Sequence, residues 1–361
     1  MEQVDLEKDL DVLDLENVSV RSKQRLHELL RAVSYGCVET KIRAAYEVGM
    51  LAKSSAKRRA YLAAAGAITP LVSMLSSQSL EAQDASMEAL LNLAVRHERN
   101  KLKIVKAGAV PVLVELLRQE NANIRESAAA VILTLSASSE IKPIIGNSGA
   151  MVLLVGILLC GSIQGRVDAV MTLYNLSTYP DNLTPILNAG AISPLILLLK
   201  DCKKASKVAE RTMALLQSLM VFEEGRSAVA NEERGVLTLV EVLEEGSLQS
   251  REHAVTALLT MCQSSRCKYR QAILQEGVIP GLLELTVQGT ASARQKAHSL
   301  LHLLRDPPRS PSSSSASVMS ERIVSEITSH VETPDAVSVN VKKIVTDVAL
   351  HNMEQNTSGV V

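Results

Sequence analysis

Tryptophan is absent and phenylalanine occurs once, at Phe222. With aromatic residues at 2% of the chain, any core must be filled by Leu, Ala, Val and Ile, and a hydrophobic content of 47% supplies enough of them. A surplus of one charge is also missing. The formal net charge is −1, so no global field draws the chain toward nucleic acid or an anionic membrane. No apolar run approaches the roughly 20 residues of a membrane span; the longest, Met151–Cys160, reads as a short buried helix. The five cysteines, Cys37, Cys160, Cys202, Cys262 and Cys267, are odd in number and scattered. They fit reduced thiols in the cytoplasm or nucleus rather than a disulfide framework. Met1–Asp11 is acidic and has no signal-peptide pattern.

The marks of catalysis are missing too. Neither G-x-x-x-x-G-K-[ST] nor G-x-G-x-x-G occurs, so no phosphate loop is expected. Cys262 and Cys267 are spaced too widely for a zinc pair, and no second pair follows. His298 and His302 share a helical face, but no third ligand lies nearby in sequence. No Ser/His/Asp arrangement stands out. The expectation is a protein that is not an enzyme, with no catalytic residues, no cofactor and no metal.

What the chain does have is repetition. A phrase beginning Gly66-Ala-Ile-Thr-Pro-Leu returns at Gly108, Gly149, Gly190, Gly235 and Gly277, at spacings of 42, 41, 41, 45 and 42 residues. Such a period is the mark of a helical solenoid, which grows by adding units and overrides the two-domain prior for a 361-residue chain. Each glycine permits a sharp turn. Pro70, Pro111, Pro194 and Pro280 follow at helix starts, where a missing N–H costs nothing. Apolar stretches such as Leu113–Leu117 come next, then polar cap candidates: Ser79, Asn121, Ser162, Ser247 and Thr290. Each cap opens a longer helix with apolar positions at helical spacing, as in Ala85, Ala89, Leu90 and Leu93. A short segment then leads to the next glycine, giving three helices per unit.

Three helices in about 42 residues, G-A-h-x-P-L-h before the second and x-L-x-N-L-[SA] in the third, resemble armadillo repeats. Glu224-Gly225-Arg226, Leu239 through Ser247, and Gly289-Thr290 through Lys296-Ala297 with Leu304-Arg305 resemble the armadillo region of plant U-box ubiquitin ligases and their armadillo-only relatives. The resemblance covers about residues 40 to 305. It implies an all-α, right-handed solenoid of about six full repeats plus a partial N-terminal repeat. The U-box recruits the conjugating enzyme in such ligases. The residues before the first repeat-like helix match none of its pattern, so ligase activity is not carried over.

In an armadillo stack the third helices line the concave face. Aligning them brings Asn92, Thr134, Asn175, Ser218, Thr260 and His302 into one polar column within apolar surroundings. The resemblance implies that Asn92 and Asn175 hold the backbone of a bound peptide; the alternative is bonding to neighbouring helices or water. Four residues earlier stand Glu88, Ala130, Met171, Ala214, Thr256 and His298. Nuclear-import adaptors of this fold carry tryptophans there, and this chain has none. A third column, Asp84, Glu126, Asp168, Glu210, Glu252 and Arg294, repeats every 42 residues. It reads as acids complementing helix dipoles, or as an acidic strip for basic partner segments.

The expected organisation is a mobile acidic N-terminus over 1–20, an armadillo solenoid over 21–305, and a Ser/Pro linker with a largely disordered tail over 306–361. A helix is expected over Arg21–Ser34 and a partial repeat over Glu39–Ala52. Three extra residues near Asp201–Ala205 suggest an exposed loop carrying Lys200, Lys203 and Lys204. Ser310-Pro311 is a candidate phosphorylation site, and Ile323–Val331 and Val339–Val348 are candidate docking pieces. The expected function is a scaffold binding extended or helical segments of protein partners in the cytoplasm or nucleus, with no nucleic acid and no membrane span. A role in presenting substrates for ubiquitin ligation is the alternative.

Overall fold

The computed structural model describes residues 20–305. The expectations for 1–20 and 306–361, Ser310 and the two tail pieces included, lie outside these residues, Val20 excepted. Among the described residues there are twenty α-helices, one short 3-10 turn at Pro180–Asn182 and no strand. The helices α1 (Val20–Tyr35) and α2 (Val38–Ser54) form an opening pair. Six three-helix units follow. They are α3 (Ala56–Ala64), α4 (Ile68–Met74) and α5 (Leu80–Ala94); then α6 (Glu98–Lys106), α7 (Ala109–Leu117) and α8 (Ala122–Ser136). Next come α9 (Lys142–Gly146), α10 (Ala150–Cys160) and α11 (Ile163–Ser177), then α12 (Leu183–Asn188), α13 (Ile192–Asp201) and α14 (Lys207–Leu219). The last two are α15 (Glu223–Asn231), α16 (Gly235–Glu245) and α17 (Leu248–Ser264), and α18 (Arg266–Gln275), α19 (Ile279–Gln288) and α20 (Ala291–Leu304).

The local chemistry explains the punctuation. Ser79, Asn121, Ser162, Ser247 and Thr290 each accept a hydrogen bond from the backbone N–H three residues on, and Ser206 does the same for α14. The third helix is therefore capped in all six units. The prolines fall in the first turn, at the second or third helical residue, where backbone N–H groups have no intrahelical partner. Gly66, Gly108, Gly149, Gly190 and Gly277 turn the chain with positive φ.

The fifth unit departs from the expected register. Its left-handed residue is Arg234, with φ 61°, and Gly235 is already the first residue of α16. The repeating glycine letter thus hides a one-residue shift. Gly235 is small for a different reason: a Cβ there would stand 2.1 Å from the Val229 carbonyl oxygen.

Two further expectations change. The helix over Met151–Cys160 is present, but Val152 and Leu159 are 64% and 50% exposed, so it is half-buried rather than buried. The loop after α13 exposes Lys203, whereas Lys204 is tied down. Its Nζ donates to the Leu199 carbonyl at 2.5 Å and lies 3.2 Å from Glu241 Oε2. Lys200 likewise donates to the Glu233 carbonyl at 2.8 Å. The extra residues are therefore stitched to the next unit.

A single apolar core runs from Leu29 to Leu304. Leu, Ala, Val and Ile fill most of it, and each fully buried Leu or Ile contributes about 1.5–3 kcal/mol. The third helices, with α2 at their head, pack flank to flank along the whole chain, while second helices touch one another sparsely. The stack therefore closes on the third-helix side and fans open on the other. No single described helix is long and apolar enough to cross a membrane.

Two buried asparagines lock successive units together. Asn100 Nδ2 donates to the Leu93 carbonyl at 2.9 Å and the Arg59 carbonyl at 3.2 Å. Asn182 Nδ2 donates to Leu176 at 3.0 Å and to Lys142 at 3.2 Å. Each bond pair satisfies the end of a third helix and the first helix of the unit before.

Candidate functional site

The third helices α5, α8, α11, α14, α17 and α20 present one continuous polar-edged face, and every predicted site residue lies on it. Asn92, Thr134, Asn175, Ser218 and Thr260 are half-buried, and His302 is exposed. Their hydrogen bonds differ by chemistry. Thr134 Oγ1 donates to the Ala130 carbonyl at 3.1 Å, Ser218 Oγ to Ala214 at 3.0 Å, and Thr260 Oγ1 to Thr256 at 2.8 Å. These hydroxyls return their proton to their own helix four residues back, as mid-helix Ser and Thr commonly do. Their oxygens keep acceptor capacity.

The asparagines bond differently. Asn175 Nδ2 donates to Ser136 Oγ of α8 at 3.0 Å, which ties two units and leaves its carbonyl oxygen and second N–H without a side-chain partner among the described residues. Asn92 Nδ2 lies over α2, 3.6 Å from where a Cβ on Gly49 would stand. No side-chain bond of Asn92 is seen among the described residues.

The two ends of the face differ in charge. At the first end Glu81, Asp84 and Glu88 gather around Tyr46. Burial pushes the Tyr46 hydroxyl pKa up, and the three acids push it further. At the last end α20 exposes Arg294, His298 and His302. Between them Arg211 lies over the Tyr174 ring, 4.4 Å from its centroid.

The acidic column serves neither role expected of it in full. Apart from Glu210, the acids stand beyond the first turn of their helices, past the reach of the dipole. Several instead reach across to the following unit. Glu126 accepts from the Ser162 backbone N–H at 2.7 Å and from its hydroxyl at 2.5 Å. Asp84 accepts from Ser127 at 3.0 Å, and Glu252 from Thr290 at 2.6 Å, with Lys296 Nζ at 3.2 Å. Two of these contacts fall on a cap residue of the next third helix. Sequence alone hid this, because the acid and its donor partner lie 36 to 43 residues apart. Asp168 is left in a half-buried position, and burial raises its pKa, with Glu126 adding to the shift.

A pH dependence follows from Glu252. Hydrogen bonds from Thr290 and Ser292, and then Lys296, hold its pKa at about 2 against an ordinary 4.5. A depressed folded pKa contributes stability that is fully present above the unfolded value and is lost as pH falls toward the folded one. The wild-type chain is expected to lose about 2 kcal/mol at this site between pH 5 and pH 2. Glu252→Gln should remove that part of the slope and cost about 2 kcal/mol at pH 7. Urea unfolding midpoints of the two chains across that range test it; parallel curves would reject it.

Outside this face, a cleft of about 460 Å³ opens between α7 and α10, lined by Arg118, Arg125, Val152 and Gly156. Its walls are the splayed second helices. Among the described residues no group of three or more His, Cys, Asp or Glu is placed to hold a metal.

Comparison with known proteins places this geometry. The chain is 33% identical over 290 residues to U-box domain-containing protein 45 of Arabidopsis thaliana, covering 78% of this chain and 37% of that one. It is 35% identical over 302 residues to U-box domain-containing protein 17 of the same plant, covering 79% and 39%. The chain thus spans less than two fifths of the length of these relatives. Among solved structures it is similar to an engineered protein with a TM-score of 0.66 at 24% identity, over 77% of this chain and 68% of that one. It is also similar to computationally designed armadillo repeat proteins for modular peptide recognition, with a TM-score of 0.51 at 21% identity, over 78% of this chain and all of theirs. The model of the plant U-box protein ARM repeat region matches residues 2–160 and 113–324. The chain belongs to the family of armadillo-repeat regions of plant U-box proteins.

Proposed function

We propose that the chain is a non-catalytic scaffold that holds an extended segment of a partner protein along the third-helix face. The basic end of that segment lies toward Glu81, Asp84 and Glu88, and its acidic end toward Arg294. The observation that carries this reading is the contrast along the polar column. Thr134, Ser218 and Thr260 commit their donors to their own helices, while Asn92 and Asn175 hold amide groups at the face with bonding capacity to spare. An amide with one N–H and its carbonyl still open supplies a donor and an acceptor, the complement of one peptide unit. Two amides on different units fix the direction and register of a bound backbone, and the opposite charges at the two ends fix its polarity.

Each amide is expected to contribute on the order of 1 kcal/mol to affinity. Asn92→Ala and Asn175→Ala should therefore weaken a selected peptide about fivefold each, and about thirtyfold together, since the sites share no partner. Selection from a display library against the whole chain, followed by calorimetry on the single and double variants, measures this. Unchanged affinity in the double variant, with the helical circular dichroism intact, would sink the groove.

A second reading rests on the relatives, which are U-box domain-containing proteins matched along their armadillo part. The chain then presents substrates for ubiquitin ligation, or competes for them, in the cytoplasm or nucleus. Co-purification of a ubiquitin-conjugating enzyme or a U-box relative with the tagged chain would favour it over a general scaffold.

A further inference from the structure

The first helices α3 and α6 form a basic face that the groove does not use. Lys53 at the end of α2 and Lys57 and Arg58 of α3 are exposed, as are Arg96, just before α6, and Lys103 and Lys106 within it. Arg59 of α3 is tied to α2 on one side and to α6 on the other. Its Nη1 donates to the Ala52 carbonyl at 3.0 Å, and its own carbonyl accepts from Asn100 at 3.2 Å. Burial lowers the pKa of His97 between them, with Arg59, Lys103 and Arg99 adding to the effect, so the cations of both helices act on one spot. Carboxylates are scarce here. None occurs from Lys53 to Ser79, and from Arg96 to Val114 there is only Glu98, which is paired with Lys101 at 3.1 Å. The basic helix α18 at the other end of the chain lies among acceptors of its own and the preceding unit. Lys268 pairs with Glu223 at 2.9 Å, and Arg270 donates to the Leu304 carbonyl at 2.8 Å.

The complementary charge lies in the same chain. Residues 1–19 carry seven carboxylates against the single Lys8. That stretch ends where α1 begins, and α1 and α2 are helices of 16 and 17 residues packed as an antiparallel pair. Arg25 Nη2 meets Glu47 Oε1 at 2.9 Å. Counting five residues back along α1 and five forward along α2 brings Val20 level with Ala52 and Lys53, where the basic face starts. Nineteen residues reach up to about 60 Å, several times the roughly 10 Å between packed helices.

We propose that residues 1–19 are the ligand of this face in cis, covering α3 and α6, and that an acidic partner reaches these helices only by displacing them. Covalent attachment gives the stretch an effective concentration on the order of millimolar, and its hold weakens as salt shortens the screening length below about 10 Å.

Zero-length carbodiimide coupling of the full chain, with peptide mapping, tests the placement. Expected are links from the carboxylates of residues 1–19 to Lys53, Lys57, Lys103 or Lys106, largely lost at about 0.5 M salt. Links going mainly to Lys203 or Lys268 would overturn the proposal. In parallel, a labelled synthetic peptide of residues 1–19 is added to the unchanged full chain. It is also added to one whose acids from Asp5 to Glu16 are replaced by Asn and Gln, both checked for helical circular dichroism. The peptide should bind the neutralised chain at least about tenfold tighter. Equal binding to the two chains, or no binding to either, would overturn it. So would anionic vesicles or duplex DNA binding both chains equally while the peptide does not, since the occupant would then be a phosphate surface.

Discussion

Replacing Asn182 by alanine is expected to lower stability by about 3 kcal/mol, although the residue touches no ligand face. Asn182 is 3% exposed, and its amide donates to two carbonyls of the preceding unit, Leu176 at 3.0 Å and Lys142 at 3.2 Å. Alanine would remove both bonds, at about 0.5–1.5 kcal/mol each, with the Leu176 carbonyl keeping the Tyr179 N–H as donor, and would open a small void. The site also explains a glycine. A Cβ on Gly146 would stand 1.9 Å from Asn182 Oδ1, so Gly146→Ala should be comparably damaging in the wild-type chain. In the Asn182→Ala chain that oxygen is gone and the added methyl group has room. The two losses should therefore fall short of additivity by on the order of 2 kcal/mol. Urea midpoints of the four chains measure the coupling. Amide exchange should rise first in α9, α11 and α12, because a solenoid unit contacts only its neighbours. Strict additivity would mean that Gly146 and Asn182 do not share the space the structure gives them.

This pair also marks the limit of what the sequence discloses. The repeat period, the three-helix unit, the caps at Ser79, Asn121, Ser162, Ser247 and Thr290 and the partial repeat before Ala56 were all legible, because they depend on residues a few positions apart. The column from Asn92 to His302 was legible too, since the period itself aligns it on one face. The bonds that join units were not. Asn182 meets Lys142, Glu126 meets Ser162, and Lys204 meets Glu241, each across a whole repeat and each written with residue types that also suit an exposed surface. An asparagine in Pro180-Asp181-Asn182 reads as turn chemistry; only its burial reveals a staple. Likewise the periodic acids look alike in sequence, yet Glu126 and Glu252 brace the next unit while Asp168 bonds Gln164 within its own helix.

The second large effect separates two kinds of glycine that look identical in the repeat. Gly190 has φ +76° and nothing within 4 Å of an added Cβ, so Gly190→Ala meets only the left-handed backbone penalty, about 1 kcal/mol. Gly235 has no such φ, but its Cβ would lie 2.1 Å from the Val229 carbonyl oxygen and 3.2 Å from Glu232 Cβ. The closer obstacle is backbone, which no rotamer change removes. Gly235→Ala should therefore cost about 3 kcal/mol or more, by forcing α15 and α16 apart. The neighbouring Arg234 supplies the converse. It sits at φ 61° without being glycine, and its ion pair with Glu241 at 2.9 Å is largely solvent-facing and worth under about 1 kcal/mol. Arg234→Gly should leave stability unchanged or raise it by about 0.5 kcal/mol, since relief of the left-handed strain offsets the lost pair and the entropy of the new glycine. Thermal and urea unfolding of the three variants gives the order Gly235→Ala, then Gly190→Ala, then Arg234→Gly from most to least destabilised. If Gly235→Ala proves as mild as Gly190→Ala, the turn would use Gly235 as its left-handed residue after all, and the one-residue shift of the fifth unit would be wrong.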